Sequence, residues 1–584
     1  VEGRTRREWT LRIPDASIVR EICANTGLSA TAARILANRG IAGDGDADRF
    51  LNGTLRNLAS PFLMKDLEKA ALRLAEAGRR GEPVLIYADY DVDGATGAAC
   101  LFLCLRETFP GLPVSIHQNH RVADGYGLRP DRLEAAAAAG IGLVVTVDCG
   151  ISDVEPIRRA SALGMDVIVT DHHLPGPVLP PAFAVLNPRR SDCGFPEKEL
   201  AGVGVAFALV RGLLAMLRGG PRAPEPEAVL RRYLDLVALG TVADMVPLRG
   251  DNRIFVKEGL REIRGCPRAG VAALLSVAGV DAEAANESDL GFRVAPRLNA
   301  AGRVGESRRS SDILVTDDRG EASRLAAELN ADNSRRQREE ERILRSAETA
   351  LRADPPSAGS GAIVLADPDW PLGILGIVAS RLAERFFRPT FLLRTEGSEA
   401  RGSCRSVDGF PLVDALGELS PLLLRYGGHS QAAGLALAAS NLAAFREGMN
   451  RIVRAYASTR KSAPGMPVDA QVGLGDITPR FLSELERMRP FGMGNEEPVL
   501  LARRLGIGRR TAFGAVGQHL KFEVADDSRR LEAVAFHRSL PPEADGRVDL
   551  LFTPQRVSFR GNFRLRLLLR DLRPSGLSEP PPEA

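Results

Sequence analysis

Asp171-His172-His173 follows the apolar stretch Met165-Asp166-Val167-Ile168-Val169-Thr170, so a carboxylate and two imidazoles arrive together at the end of a buried strand. That donor set reads as a metal site. Two other strand-like runs end in acids: Val84-Leu85-Ile86-Tyr87 opens into Asp89-Tyr90-Asp91-Val92-Asp93-Gly94, and Leu143-Val144-Val145-Thr146-Val147 into Asp148-Cys149-Gly150. An apolar helical stripe from Asp235 ends on a further carboxylate, Asp244. Carboxylates with imidazoles and no thiolates favour Mn²⁺ or Mg²⁺ over structural zinc. Several carboxylates suggest two ions, which at about 4 Å apart share a carboxylate, acidify a bridging water and clamp a phosphoryl centre. Phosphoester hydrolysis is the natural chemistry of such a site. The Asp89 segment also matches the start of an EF-hand loop, but the twelfth position, which needs a bidentate Glu, is Cys100. Solvated strand-end turns would account for one acidic end, not for three together with a histidine pair.

The elements that must position these groups are those of an α/β fold with a doubly wound parallel sheet. Small and apolar residues at helical spacing follow Gly94 as far as Arg106, and a second helix is expected from Asp153 to Leu163, stopped by Gly164. Alternating strands and helices imply parallel neighbours buried on both faces. In such a sheet ligands bind in the crevice beyond the carboxyl ends of the strands.

At 584 residues the chain is long enough for three or four domains. A helical N-terminal module is expected over 1–80, with a helix starting at Ser29 and a connector at Pro61-Phe62-Leu63-Met64. The catalytic α/β domain is expected over 81–317, a long proline-free connecting helix over 318–353 and a smaller α/β domain over 354–460. Short alternating strands over 461–574 predict a C-terminal β-barrel, and the proline-rich tail 575–584 should be disordered. The net charge of +3 excludes a polycation and leaves room for local basic grooves. Seven scattered cysteines without a Cys-x-x-Cys pair fit a reducing cytoplasm. Neither a signal-peptide core nor a run of about twenty apolar residues is found, so no membrane association is expected.

The Asp89–Gly94 segment, Asp148, Asp171-His172-His173 and Asp244 resemble, in that order, the motifs of the DHH phosphoesterase superfamily. The segments 121–127, 295–303, 402–406 and 427–429 are similar to the bacterial RecJ branch with its DHHA1 second domain, and Pro490-Phe491-Gly492-Met493-Gly494-Asn495 resembles the start of its OB-fold. The resemblance implies a single-strand-specific 5′→3′ DNA exonuclease that releases 5′-mononucleotides in recombination and repair, with two Mn²⁺ or Mg²⁺ ions. It implies Asp91, Asp93, Asp148, His172 and Asp244 as ligands, Asp148 as the bridge, Asp89 where relatives use histidine, and His173 on the scissile phosphate. It also places Arg121, Ser403 and Arg405 around a terminal 5′-phosphate. Arg297, Asn299, Arg303 and the Gly427-Gly428-His429 turn are further substrate contacts in this reading. Asn119 and His120 stand where proline is expected, and Pro371 where histidine is frequent.

Residues 461–574 carry 19 Lys and Arg against 14 Asp and Glu, with Arg503, Arg504, Arg509 and Arg510 close together. A basic groove with aromatic stacking is how an OB-fold binds single strands, and Phe559-Arg560-Gly561-Asn562-Phe563-Arg564 offers both. The expected partners are single-stranded DNA, a single-strand-binding protein and a helicase, acting on a monomer. Two rival readings are a nanoRNase or cyclic-dinucleotide phosphodiesterase on the same two domains, and a catalytically dead replication scaffold. The additional terminal domains argue against the first. Against the second, adjacent unneutralised carboxylates are destabilising without ions.

Overall fold

The computed structural model describes residues 8–576, apart from 44, 122, 266, 354–360, 460–464, 515–516, 537–545 and 560–561. The tail from 577 onward and the side chains of 558–563, on which the expected disorder and the stacking hairpin fall, lie outside the described residues. The chain forms two compact units.

One unit comprises Ala59–Val246 and Phe255–Ser462. Its first sheet is all parallel, in the spatial order Val114–Gln118, Val84–Ala88, Leu143–Val147, Asp166–Thr170, Ala184–Leu186. The chain therefore reverses direction of growth between Val84–Ala88 and Leu143–Val147, and that switch point opens a crevice at the strands' carboxyl ends. Alternate strand residues face opposite layers. Leu85, Tyr87, Val144, Val167 and Val169 pack with Leu133, Ala136, Ile157 and Ala160 of the helices Pro130–Ala138 and Val154–Ala162. On the other layer lies the helix Val92–Thr108, where a Cβ on Gly97 would come 2.6 Å from Val147 Cγ1 and 3.3 Å from Val203 Cα. Only glycine admits so close an approach of helix to sheet and to the helix Gly202–Leu217.

The helix Arg319–Ala353 runs 35 residues, about 50 Å. Ala322, Leu325, Ala326 and Leu329 are buried in its first half, while Ile343 and Ala347 pack with Ile363, Trp370, Ile374 and Leu375. The second sheet has the order Leu423–Gly428, Ala432–Ala438, Glu399–Arg405, Thr390–Glu396, Ile363–Ala366, antiparallel except for its last pair.

The other unit joins Val1–Leu58, Pro247–Ile254 and Ala463–Ala584. Five strands, Leu500–Phe513, His519–Ala525, Arg530–Ala535, Asn562–Pro574 and Arg547–Phe559, follow one another round a barrel, and the last pairs back with the first. The N-terminal module drawn at 1–80 from the sequence is divided in the structure. Ile22, Ala32, Ile35, Leu36, Phe50 and Leu51 share one core with Phe481, Leu500, Phe522, Leu550 and Phe552, whereas the helix Leu67–Arg80 belongs to the first unit. The apolar faces of the short N-terminal helices have no large enough core of their own and close one side of the barrel instead. Ser29 caps its helix as expected, accepting from Ala32 N. No helix among the described residues is long and apolar enough to cross a membrane.

Buried Arg39 ties this unit together. Its guanidinium donates to Asp469 Oδ1 at 3.0 Å, Asn495 Oδ1 at 3.0 Å, Ile35 O at 2.9 Å and Glu496 O at 2.6 Å. Removing one partner of a buried pair leaves the other charged and unpaired, at a cost of roughly 3–5 kcal/mol. Arg39→Ala is expected to destabilise by that amount in denaturant unfolding, and a loss below about 1 kcal/mol would mean that water replaces the guanidinium.

Candidate active site

Every acid and histidine read from the strand ends converges on the crevice at the switch point. Asp89 follows the Val84–Ala88 strand directly. Asp91 caps the next helix, its Oδ1 accepting from Asp93 N at 2.9 Å and Gly94 N at 3.2 Å. Asp93, in the helix's first turn, accepts from Gly202 N at 2.6 Å and Val203 N at 2.8 Å. Those two amides open the helix Gly202–Leu217, so free N–H groups and the helix dipole support its carboxylate. Asp148 leaves its strand with φ of 60°, a left-handed conformation that Asp tolerates better than most residues. Gly202 has no side chain because a Cβ there would lie 2.8 Å from Asp148 Cβ. Asp244 caps the C-terminal end of the helix Leu234–Ala243.

His172 Nε2 stands 3.2 Å from Asp148 Oδ1, 3.6 Å from Asp244 Oδ2 and 3.9 Å from Asp93 Oδ2. Three overlapping groups have ligand atoms within 4.8 Å of one another: Asp89, Asp91 and Asp148; Asp93, His172 and Asp244; and Asp148, His172 and His173. Asp148 is common to two of them. Asp89 Oδ1, Asp148 Oδ1, Asp244 Oδ2 and both His172 nitrogens are buried without a hydrogen-bond partner. Buried polar atoms are rarely left unsatisfied, and orphaned carboxylate oxygens facing an imidazole fit divalent cations.

The electrostatics agree. Burial, and then the neighbouring carboxylates, push Asp89 and Asp148 well above the usual carboxylate range; Asp244 is raised for the same two reasons. Asp93 is pushed up to about 7, by burial first and Asp91 second. Burial, aided by His173, lowers His172 to about 4, so it presents neutral nitrogens at pH 7. His173 behaves differently. Burial alone would lower its pKa, but Asp171 Oδ1 lies 2.8 Å from Nδ1 and raises it. Asp171 is fully buried, yet the His173 hydrogen bond and the Ile151 and His173 amides hold it below the usual carboxylate range. Nδ1–H therefore donates to Asp171. The His173 nitrogen that lies 3.7 Å from Asp148 is this already engaged Nδ1.

A second cluster is cationic. Arg121 lies over the Tyr90 ring at 4.7 Å, Arg303 donates to Gly373 O at 2.9 Å and Arg405 to Cys404 O at 2.8 Å. Burial first, then Arg121 and the other guanidiniums, lower Arg303 to about 9; burial and Arg121 lower Arg405. Ser403 and Arg405 sit against the helix Leu372–Phe386 at its second turn, where a Cβ on Gly376 would come 2.7 Å from Arg405 Nη2 and 3.3 Å from Ser403 Oγ. Mutually repelling guanidiniums held together in this way are groups that an anion would compensate. Tyr90 joins this cluster to the acids on either side of it in sequence.

Arg297 is not part of this cluster. Its guanidinium reaches Asn330 Oδ1 at 3.0 Å, Val277 O at 3.2 Å and Arg293 O, which ties three helices together. Asn299 is half-buried on the same helix as Arg303. Gly427, Gly428 and His429 are exposed at the turn between the edge strand Leu423–Gly428 and Ala432–Ala438, outside the carboxylate cluster. At Gly428 φ is 148°, and His429 N donates to Ala432 O. Four features had no role in the sequence reading: Tyr126 on His173, Asn187 donating to His173 O at 2.8 Å, the Gly202 and Val203 amides, and the barrel aromatics. Phe513, His519 and Phe536 stack mutually with centroids 5.1–6.1 Å apart, and both phenylalanines are exposed. The Gly-rich run 202–204 was a signal for the amides; the aromatics are scattered in sequence and meet only across strands.

Three family models match the chain: the DHH family, N-terminal domain, over residues 83–241; the DHHA1 domain over 359–455; and the RecJ OB domain over 468–571. The single-stranded-DNA-specific exonuclease RecJ of Escherichia coli is 36% identical over 93% of this chain and 95% of its own length. That of Bacillus subtilis is 34% identical over 91% of this chain, which spans 66% of the relative's length. The crystal structure of RecJ from Thermus thermophilus in complex with Mn²⁺ superposes with a TM-score of 0.81 at 33% identity, covering 97% of this chain and 79% of that one. A complex of the same protein with Mg²⁺ also matches, with a TM-score of 0.75.

Competition between protons and metal gives a test. A carboxylate whose folded pKa is raised contributes stability that is fully present below its unfolded pKa, about 4, and lost as pH rises through its folded value. For Asp93 that window runs to about 7, and Asp89, Asp148 and Asp244 act in the same direction. His172, lowered to about 4, opposes them as one group against four. Metal-free protein should therefore melt lower at pH 7.5 than at pH 5.5, and the Mn²⁺-induced rise in Tm should grow over the same interval. A rise independent of pH would mean that Mn²⁺ and protons do not share these carboxylates.

Proposed function

The chain belongs to the RecJ family of the DHH phosphoesterases, and from that membership we propose that it hydrolyses single-stranded DNA from the 5′ end, releasing 5′-mononucleotides. One observation carries the reading: orphaned buried carboxylates around His172 lie beside the guanidinium cluster of Arg121, Arg303 and Arg405. A phosphodiester nuclease needs both, one for the reacting phosphate and one for the strand end.

Asp89, Asp91, Asp93, Asp148, His172 and Asp244 would hold two Mn²⁺ or Mg²⁺ ions, with Asp148 shared. Such ions, when bound, acidify water and neutralise charge on the phosphoryl group. The chain's own residues do the rest. His172, kept neutral by burial, offers a lone pair rather than a proton. His173, with Nδ1–H held by Asp171, keeps Nε2 for the scissile phosphate. Asp93 is fixed by the Gly202 and Val203 amides, so it need not reorganise during the reaction. Arg121, Ser403, Arg405 and Arg303 receive the terminal phosphate, which sets polarity by charge. The Gly427-Gly428-His429 turn, exposed and free of bulky side chains at its glycines, holds the strand. Arg503, Arg504, Arg509 and Arg510 with the exposed Phe513 and Phe536 make the barrel a single-strand holder.

The domain limits proposed are those of the sequence reading, with residues 1–58 serving the barrel rather than standing alone. Cytoplasmic residence is proposed from the cysteines, all six of those described being free. A monomer supplied by a single-strand-binding protein and a helicase completes the proposal.

The direct test offers end-labelled single- and double-stranded DNA and short RNA with Mn²⁺. Single-stranded DNA should disappear from its 5′ end, whereas preferential loss of RNA dinucleotides would favour the nanoRNase reading. Asp148→Asn, which keeps a side chain suited to positive φ, should lose at least about a thousandfold in turnover while melting at an unchanged or higher temperature without metal. Retained activity in Mn²⁺ would remove Asp148 from the shared position. A 5′-phosphate should speed degradation, since each charge-assisted hydrogen bond is worth about 1.5–3 kcal/mol. Arg405→Ala should slow only the phosphorylated strand; equal slowing of both substrates would place the strand end elsewhere.

A further inference from the structure

Tyr126 is neither one of the proposed ligands nor one of the phosphate contacts, yet its hydroxyl reaches two of the groups on which the proposed reaction depends. Tyr126 Oη lies 3.0 Å from His173 Nδ1 and 3.3 Å from the Asp148 carbonyl oxygen. Its ring meets the imidazole edge-on, centroids 5.3 Å apart at 65°. The Nδ1 proton goes to Asp171 at 2.8 Å, so the phenol's own proton is directed to the Asp148 carbonyl and its oxygen accepts a share of Nδ1–H. That carbonyl belongs to the residue with φ of 60°, a backbone state that persists only where its surroundings hold it.

The loop carrying Tyr126 is braced on both sides. Buried Asn119 donates from Nδ2 to Gly125 O at 3.1 Å and Gly127 O at 2.6 Å, the two carbonyls flanking Tyr126. Asn119 Oδ1 in turn accepts from Tyr87 Oη at 2.7 Å, and Tyr87 Oη accepts from Arg129 N at 3.1 Å. Leu128 N is held by Asp153 Oδ2 at 2.9 Å, and a Cβ on Gly127, where φ is 91°, would lie 2.6 Å from Asp153 Oδ1. A tyrosine that only packed would bury its ring. This one is 46% exposed while its hydroxyl points inward.

We propose that Tyr126 is a positioning residue, which clamps the left-handed Asp148 backbone and fixes the His173 ring, with Tyr87 and Asn119 as its brace; the inference rests on the nuclease reading for its kinetic part only. In Mn²⁺, Tyr126→Phe should lower kcat on single-stranded DNA about threefold to tenfold, the worth of one hydrogen bond, with KM, the 5′-phosphate preference and the number of Mn²⁺ ions bound by calorimetry unchanged. Tyr87→Phe, which reaches the site only through Asn119, should lower kcat by less. The double variant should be no slower than Tyr126→Phe alone, because the two hydroxyls act on one path. Independent of turnover, the imidazole nitrogen resonances of His173 in metal-free protein should keep the Nδ1–H form that Asp171 sets but shift and broaden in Tyr126→Phe, as the ring loses its second contact. Full kcat in Tyr126→Phe, multiplicative losses in the double variant, loss of a Mn²⁺ ion, or unchanged His173 resonances would each overturn the assignment. A wild type that leaves DNA intact would instead sink the nuclease reading, and the resonances would still decide the role of Tyr126.

Discussion

Carboxylates crowded where water barely reaches are the constraint on which this structure turns. Asp89, Asp93 and Asp148 are each less than 5% exposed and share one crevice, and like charges in a desolvated space cannot all ionise without compensation. The fold supplies part of that compensation. The helix beginning at Gly202 offers two amides to Asp93, and the helix beginning at Val92 offers two to Asp91. The remainder is left to protons or to divalent cations, which compete for the same carboxylates.

The parallel sheet was legible because three of its five strands are largely apolar runs of five residues, each followed by an acid. The Val84, Leu143 and Asp166 strands all sit where the runs predict, and the switch point follows from their order. The Leu500–Phe513 strand was not legible. Arg503, Arg504, Gly506, Gly508, Arg509 and Arg510 interrupt its alternation, and the strand is bulged between Ala502 and Leu505, with Arg504 at φ of 57°. Bulges add residues without adding pattern. The core shared by the N-terminal helices and the barrel was equally hidden, because amphipathic helices declare that they need a partner without declaring which one.

The arginines show the same limit at the site. Arg297 and Arg303 lie six residues apart on one helix in one family-like segment, and sequence distinguishes neither. In the structure Arg297 is satisfied by carbonyl and amide oxygens from neighbouring helices, while Arg303 is half-buried near other guanidiniums, with a lowered pKa. Acceptors brought from Val277 and Asn330 are what set Arg297 apart from Arg303. Spacing along the chain carries no information about them.

The core that closes one side of the barrel also has a bearing on biosynthesis. Ile22, Ala32, Leu36 and Phe50 leave the ribosome first, but their packing partners between Ala470 and Leu569 follow more than four hundred residues later. At about 5–20 residues per second, that separates the two halves of one core by roughly 20–90 s. During this time the apolar faces of the N-terminal helices lack the partners that cover them in the folded chain. A nascent chain stalled anywhere before residue 470 would therefore display helix faces that the folded chain covers with the barrel.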